Sequence, residues 1–428
     1  MHSQLIRFKR GQLLLVPLLA TLLAACGAPQ ATNDTPQATA PAATAGPTAA
    51  PAPTSASQAS VEPTAAPAPT SAPAPTEAPT GAPVAGVLPA PLYMFDSQQQ
   101  IVRLEANGTT LAPVTREPAP IMQYDISQAD GALLYVVGLQ PQQKLVRVDA
   151  RGGDREELLS GTLVGPAWAP DGQSYAIGWE DGPDGPGVYA APASGGRPSR
   201  IVADLPRPKD GSRPGQSYHP LAWSPNGKQL LMMVVPDFGP DAPAGDIGVV
   251  GLAVTGDGAR PIELVRSGGD PHMCLDPSWS ADSAYVYCAN YASSAGRPAL
   301  WRIAATGGQP EVLLASAGDE FMDVFNARQI GDQLYAFVGT YKSGNPAPVY
   351  AMQRLATDGT APAKLRDDAY DATAVLWSLW APDGRGAVIQ KAQDGQTGNA
   401  LIWAPADGSS PVTLRAHAFG APEWGALR

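Results

Sequence analysis

A short turn motif recurs along this chain and limits the possible fold more than any other feature. Its full form is Trp-Ser/Ala-Pro-Asp/Asn-Gly, and the copies begin at Trp168, Trp223, Trp279 (with altered letters) and Trp380. They are spaced by 55, 56 and 101 residues, which predicts a degenerate copy inside the longest interval, at 326–331. Because proline presets φ and glycine permits positive φ, each copy predicts a tight turn with an anchoring Trp just before it.

Apolar, strand-like runs follow these turns, as at 133–137, 230–235 and 284–287. A second turn, rich in Gly, lies between two further strand-like runs of each repeat. Its seven copies are Asn107-Gly108, Gly152-Gly153, Gly195-Gly196, Gly256-Asp257-Gly258, Gly307-Gly308, Asp358-Gly359 and Asp407-Gly408. Each repeat therefore contains four short strands, A to D, and the Trp ends strand A.

Four-stranded repeats of this length are typical of β-propeller blades, so the predicted fold class is all-β. The 338 residues from 91 to 428 divide into about seven repeats of roughly 48 residues. Full blades are predicted at 120–164, 165–219, 220–275, 276–320, 321–375 and 376–420. Residues 93–115 would supply strands B to D of a seventh blade and 421–428 its strand A, closing the ring and removing an exposed sheet edge. A six-bladed ring with these leftover segments disordered is the alternative.

Composition excludes two other classes of protein. The 428 residues include 45 Gly and 46 Pro, which argues against a helical bundle because both residues break helices. The net charge of -11 argues against a nucleic-acid partner, since an acidic surface repels phosphate.

The N-terminal segment reads as an export signal. Basic residues at 7–10 precede the apolar run 13–23, which is short for a membrane-spanning helix of about 20 residues. The run ends in Leu-Ala-Ala-Cys at 23–26, which resembles the lipobox of bacterial lipoproteins. This resemblance implies a signal peptide at 1–25 and a lipid on Cys26 that anchors the chain to a membrane. An ordinary signal peptide with an incidental cysteine is the alternative.

The stretch 26–90 is predicted to be a disordered tether after the lipidated cysteine. Between Gly27 and Gly86 lie 13 Pro, with no aromatic residue, Lys or Arg. Such a segment has too little apolar surface to offset its ordering entropy, and its prolines favour an extended stalk. O-linked sugars on its Ser and Thr residues, or recognition of the segment by a partner domain, remain open.

The Trp-containing turn, the apolar run after it and the Gly-Gly hairpin together resemble the TolB-like, WD-like propeller repeat. The resemblance spans about 91–428 and implies a β-propeller, but no particular function. TolB carries a small α/β domain at the position where this chain has its Pro-rich stretch. The same repeats accompany a hydrolase domain in prolyl-oligopeptidase-type enzymes, but the sequence has no Gly-x-Ser-x-Gly nucleophile motif.

Candidate chemistry is sparse. Beyond the N-terminal segment, histidine occurs only at His219, His272 and His417, which we place in the connections from strand D to the next strand A. With Asp276 or Glu423 they could form a metal site at the mouth of the ring, although interblade packing is the favoured interpretation. No metal, cofactor or catalytic residue is predicted.

The long loops between strands B and C are where a rigid scaffold is expected to bind a partner. Their acidic residues could hold calcium, but solvated loops punctuated by Gly and Pro are the favoured interpretation. The repeated Trp residues are assigned to packing. The predicted binding face comprises His219, His272, His417, Asp237, Phe238, Tyr291 and Tyr341.

Cys274 and Cys288 flank the turn at 279–284. If the residue numbers of paired residues sum to 562 or 563, these cysteines face each other across strands A and B. Export permits disulfides, so a Cys274–Cys288 bridge is predicted, with two free thiols as the alternative.

These features predict a membrane-anchored lipoprotein outside the cytoplasm, in the periplasm or on the cell surface. Its propeller is predicted to bind or scaffold a protein, peptide or glycan. The alternative is a propeller enzyme, a hydrolase or lyase with a metal-assisted site in the central funnel.

Overall fold

The fold is described from a computed structural model that covers most of the chain after residue 86. The described residues are 87–212, 214–237, 251–256, 261–265, 274–290, 297–342, 348–371, 374–375, 377–392 and 398–427. The predicted signal peptide, Cys26 and the tether up to residue 86 lie outside them. Within the described part, no helix is long and apolar enough to cross a membrane.

The strands of the described residues assemble into seven four-stranded antiparallel sheets, numbered here as blades I to VII. Blade I contains β28 (Glu423–Trp424), β1 (Leu92–Phe95), β2 (Ile101–Leu104) and β3 (Leu111–Pro113). Blade II contains β4 (Ile121–Ile126), β5 (Leu133–Val137), β6 (Gln143–Val148) and β7 (Glu156–Gly161). Blade III contains β8 (Leu163–Trp168), β9 (Ser174–Trp179), β10 (Gly187–Pro192) and β11 (Ser199–Ala203).

The remaining blades follow in chain order. Blade IV contains β12 (Gly215–Trp223), β13 (Gln229–Asp237), β14 (Gly251–Gly256) and β15 (Ile262–Val265). Blade V contains β16 (Asp276–Trp279), β17 (Tyr285–Ala289), β18 (Pro298–Ala304) and β19 (Glu311–Ala315). Blade VI contains β20 (Glu320–Ile330), β21 (Gln333–Lys342), β22 (Val349–Ala356) and β23 (Ala363–Lys364). Blade VII contains β24 (Leu379–Trp380), β25 (Gly386–Ala392), β26 (Asn399–Pro405) and β27 (Val412–Ala418).

Blade I closes the ring in the predicted way. β28, near the C-terminus, pairs with β1, matching Trp424 to Leu92 and Glu423 to Tyr93. The composite blade therefore takes its innermost strand from one end of the folded region and its other strands from the opposite end. The described residues thus support the seven-bladed prediction rather than the six-bladed alternative.

The core consists of apolar clusters that lie between consecutive blades. In the described residues there are seven such clusters, and each is shared by two neighbouring blades. The cluster between blades VII and I includes Trp403 and Trp424, whose ring centroids are 6.2 Å apart. Since each blade buries one face on each neighbour, the ring has no single hydrophobic core, and its stability depends on every interface between blades.

The repeated Trp residues pack at these interfaces, and Trp223, Trp279 and Trp424 also form hydrogen bonds across them. The indole Nε1 of Trp223 donates to the Ala167 carbonyl at 3.3 Å, and that of Trp279 to the Ala222 carbonyl at 3.0 Å. Trp424 donates in the same way to the Trp380 carbonyl at 2.7 Å. The recurrence of Trp is therefore explained by blade-to-blade contact.

In nine of the described turns an Asp or Asn has a capping function that the sequence prediction, based on Pro and Gly, did not include. Its Oδ1 accepts a hydrogen bond from the backbone N–H two residues later, which fixes the turn. This occurs after strand A at Asp130, Asp171, Asn226, Asp282 and Asp383. It occurs after strand C at Asn107, Asp149, Asp358 and Asp407.

An arginine on strand C ties several blades to the next one. Arg103 Nη1 donates to the Ala150 carbonyl at 2.8 Å, and Arg302 Nη1 to the Thr357 carbonyl at 2.9 Å. Arg147 makes the equivalent contact in blade II. Each accepting carbonyl lies at the C-to-D turn of the following blade, so these arginines connect successive turns.

Two local predictions need correction. The degenerate repeat at 326–331 does not form the five-residue turn, because Ile330 pairs with Gln333 around a two-residue Gly331-Asp332 turn. In blade V, Asp276 pairs with Ala289, so paired residue numbers sum to 565 rather than 562 or 563. Trp279 pairs with Val286, so residues 280–285 connect the two strands, two more than the predicted sum of 563 allows.

The Cys274–Cys288 disulfide is present in the structure, with Cα atoms 5.0 Å apart. In the corrected register Cys288 pairs with Pro277, and Cys274 lies just before β16. Both sulfurs lie in the apolar cluster between blades IV and V.

Candidate functional site

The antiparallel blades give the ring two different faces. The turn face carries the capped A-to-B and C-to-D turns. The loop face carries the B-to-C loops and the D-to-A connections between blades. Of the B-to-C loops, 96–100, 138–142 and 180–186 are described, whereas those of blades IV to VII lie mostly outside the described residues.

The residues predicted to form a binding face are spread over several elements. His272, Phe238 and Tyr291 lie outside the described residues. Asp237 is exposed at the loop-face end of β13. Tyr341 lies near the corresponding end of β21, with its ring 5.4 Å from that of Phe321. These two side chains are therefore placed on the loop face.

The predicted positions of His219 and His417 were wrong. His219 belongs to strand β12 and pairs with Met233, whereas His417 is exposed on the outer strand β27 and pairs with Ala400. Neither lies in a connection, because both strands extend further than the turn spacing indicated. Among the described residues, no group of three or more His, Cys, Asp or Glu side chains is placed to hold one metal ion.

His219 has the most perturbed histidine environment of the described residues. Its side chain keeps some solvent access, but burial lowers its pKa to about 4. It is therefore neutral at physiological pH, and its imidazole is able to accept a hydrogen bond.

Carboxylates at the edge of blade III on the loop face also have shifted pKa values. Partial burial raises the pKa of Glu180, as do the nearby Asp204 and Asp181 charges. Burial raises the pKa of Asp204 despite a hydrogen bond from the Tyr218 N–H at 3.1 Å. Asp181 instead accepts a hydrogen bond from the Thr162 N–H at 2.7 Å. Asp181 thus links the B-to-C loop of blade III to the connection before this blade, and Asp204 links the connection after it to β12.

A groove of about 740 Å³ lies between blades I and II. One wall is the connection 113–119, which leaves β3 and leads to β4. The other wall is formed by residues of β5 and β6 together with Arg155, just before β7. An adjoining hollow of about 570 Å³ shares the connection and is bounded by the B-to-C loop of blade I. We call the larger space the I/II groove.

The connection that forms this wall is held in place by side-chain hydrogen bonds. Gln100 Oε1 accepts from the Glu117 N–H at 2.7 Å and from the Thr115 hydroxyl at 3.2 Å. Thr115 Oγ1 also accepts from the Ile101 N–H at 2.8 Å. Prolines at 113, 118 and 120 lack an N–H donor, so this segment is unsuited to continue a strand ladder. The wall is therefore preorganised.

An ion pair at the wall connects the two blades. Glu117 Oε1 accepts from the Tyr135 hydroxyl at 2.6 Å and from Arg155 Nε at 2.8 Å. Its Oε2 accepts from Arg155 Nη2 at 3.2 Å. Burial acts to raise the pKa of Glu117, but these hydrogen bonds outweigh it and the pKa is lowered. Glu117 is thus ionised at neutral pH, and both of its carboxylate oxygens accept hydrogen bonds.

The groove has a charge opposite to that of the whole chain. Its lining contains Arg116, Lys144 and Arg155 against one carboxylate, Glu117, which gives a local charge of +2, while the chain carries -11. The sequence prediction missed this site. One feature of the sequence could have indicated it. The connection from blade I to blade II is long and contains Thr115-Arg116-Glu117 among prolines, whereas the connection from β7 to β8 is the single residue Thr162.

Solved structures share the fold. An oligogalacturonate lyase in complex with manganese has a TM-score of 0.51 and 10% identity, over 75% of this chain and 82% of that chain. The tricorn protease has a TM-score of 0.51 and 11% identity, over 78% of this chain and 34% of its own. TolB from Acinetobacter baumannii is 15% identical, over 78% of this chain and 81% of its own, with a TM-score of 0.41.

At these identities the first two similarities establish the fold and not an activity. The β-propeller that the TolB-like repeat implied is therefore confirmed. No protein-family model matches the chain, and a search of curated proteins finds no match.

Proposed function

We propose that this protein is a lipid-anchored propeller that binds a partner outside the cytoplasm. The observation that carries the proposal is the contrast between its faces. The turn face repeats the same capped turns from blade to blade, whereas the loop face carries segments of different length and chemistry. A rigid scaffold with variable segments on one face is the usual arrangement of a binding module.

The anchoring part of the proposal rests on Cys26 and the proline-rich segment after it. Cys26→Ser removes the thiol that would carry the lipid. We expect the full-length wild-type chain to fractionate with membranes and the variant to be released into the soluble extracytoplasmic fraction. Release of neither protein, or of both, would refute anchoring through Cys26.

The binding part is tested by crosslinking in cells that express the full-length chain. Asp237→Asn combined with Tyr341→Ala changes the loop face, and Lys228→Ala combined with Asp332→Asn is the matched pair at exposed turn-face positions. We expect a discrete crosslinked species that is reduced only by the loop-face pair. Equal reduction by both pairs, or the same crosslinks with an unrelated lipoprotein, would contradict binding through this face.

A metal-assisted lyase is the second candidate, favoured by the similarity to an oligogalacturonate lyase in complex with manganese. The described residues do not bring together a three-ligand set, so no catalytic step is assigned to them. The test is to dialyse the full-length protein against Mn²⁺, measure bound metal and assay cleavage of oligogalacturonate. Stoichiometric metal together with turnover would favour the enzyme, and the absence of both would eliminate this candidate.

A further inference from the structure

We propose that the I/II groove binds an extended acidic peptide segment of a partner protein. This inference rests on the proposed binding role and adds a location and a ligand chemistry to it. The groove is a built feature, since hydrogen bonds from Gln100 and Thr115 fix the connection that forms one wall.

Charge indicates the sign of the ligand. Arg116 is exposed on the wall, and the structure records no ion pair or hydrogen bond for its side chain. Lys144 lies on the opposite wall, where it contacts Glu157 at 2.9 Å in a solvent-exposed pair that contributes little stability. Two cations thus face the groove from opposite sides, and a ligand carboxylate is able to approach both of them.

Glu117, whose side chain is 8% exposed, cancels the charge of the third cation of the lining. It neutralises Arg155 through two hydrogen bonds, so Arg155 acts as part of the wall. Arg116 and Lys144 then remain as the groups that select a negative ligand. An acidic segment is attracted to this groove although the chain as a whole repels it, which gives selectivity by position.

The apolar lining favours a peptide over a sugar. Between the charged groups the groove presents the exposed side chains of Pro113 and Pro118. Tyr135 is the aromatic residue of the lining, and its ring is buried with only 1% exposure, so it offers no face on which a sugar ring is able to stack. Alternating acidic and apolar side chains in an extended peptide match this surface.

The test is a selection of random 12-residue peptides displayed on phage against the purified full-length protein. Arg116→Glu combined with Lys144→Glu reverses both selecting charges. Arg197→Glu combined with Arg354→Glu makes the same change in charge at exposed positions away from the groove. Enriched peptides are synthesised, together with versions in which Asp and Glu become Asn and Gln. Binding is measured by fluorescence anisotropy, with oligogalacturonate as the glycan probe.

We expect enriched peptides rich in Asp and Glu, whose affinity falls at least tenfold with the groove variant and changes less than twofold with the control variant. The amide versions lose affinity by a similar factor, and salt weakens binding. Enrichment without acidic residues, equal binding by both variants, or binding of oligogalacturonate alone would overturn the proposal. If crosslinking in cells still depends on Asp237 and Tyr341 in that case, the binding role stands and only the groove is wrong.

Discussion

The turn face and the loop face are made by the same blades, yet they obey different rules. On the turn face, one capping contact recurs after strand A and after strand C in most described blades. On the loop face, the connection from one blade to the next ranges from the single residue Thr162 to the whole stretch 365–378. The repeated contacts are therefore those that the ring needs to fold, and the segments that do not repeat are those in which the protein is able to differ from other propellers.

This contrast predicts that substitutions in the repeated contacts lower stability, whereas substitutions on the loop face alter binding. The largest loss is expected from Trp424→Ala. The change removes a buried side chain from the cluster that closes the ring, together with its hydrogen bond to the Trp380 carbonyl. We expect a loss of about 4 kcal/mol in the free energy of unfolding, measured by urea titration. Leu427→Ala, at an exposed position three residues later, is the control and is expected to change stability by less than about 0.5 kcal/mol.

The next effect depends on pH and arises at His219. Its pKa is about 4 in the folded chain and near 6.5 when unfolded, so the unfolded chain binds a proton first as pH falls. The contribution of neutral His219 to the free energy of unfolding is therefore complete above pH 6.5. It decreases as the pH falls toward 4, by at most about 3 kcal/mol. His219→Gln is expected to flatten this part of the stability profile relative to wild type. Identical profiles from pH 7 to pH 4 would show that His219 is not buried as the structure places it.

A smaller effect is expected where an arginine links two blades. Arg302→Met removes the contact with the Thr357 carbonyl and the ion pair with Glu311. Because hydrogen bonds from a charged group are among the stronger ones, we expect a loss of about 2 kcal/mol. Arg354 is the corresponding arginine of blade VI but is exposed, so Arg354→Met is expected to be nearly neutral. Equal losses in the two variants, measured by thermal unfolding, would contradict a specific interblade contact.

The smallest effect tests the turn chemistry itself. Ser283 replaces the motif glycine in blade V and has a φ of 65°, while its hydroxyl accepts a hydrogen bond from the Asn226 N–H. Ser283→Gly relieves the strain but removes the acceptor, so the two terms nearly cancel, to within about 0.5 kcal/mol. Ser283→Ala keeps the strain and loses the acceptor, with an expected loss of about 1 kcal/mol in urea titrations. If Ser283→Gly were less stable than Ser283→Ala, the positive φ at this turn would carry no cost in the free energy of unfolding.

Much of the scaffold was predictable from the sequence because its contacts are local and repeated. The Trp and Gly turns correctly indicated four-stranded blades and the composite blade closed by β28. The exact register was not predictable, since the connection 280–285 between β16 and β17 is two residues longer than the assumed one and shifts every pair of these strands.

The candidate site was much less predictable than the scaffold. The I/II groove combines Glu117, Tyr135 and Arg155, which are distant in sequence and come together only when two blades pack. The histidines at 219 and 417 have the same kind of position relative to a Trp, but strand length places one on an inner strand and the other on an outer strand. Spacing from a turn therefore predicts the position along a strand poorly when the strands differ in length.

Closure through β28 also determines when the molecule can be completed during its synthesis. The first strand of the ring, β1, pairs with the last of the described strands to be synthesised, at Glu423 and Trp424. A chain that stops short of these residues keeps one edge of β1 unpaired and one interblade surface uncovered. Folding thus acts as a check that translation has passed Trp424, because a shorter product exposes the features that proteases and chaperones recognise.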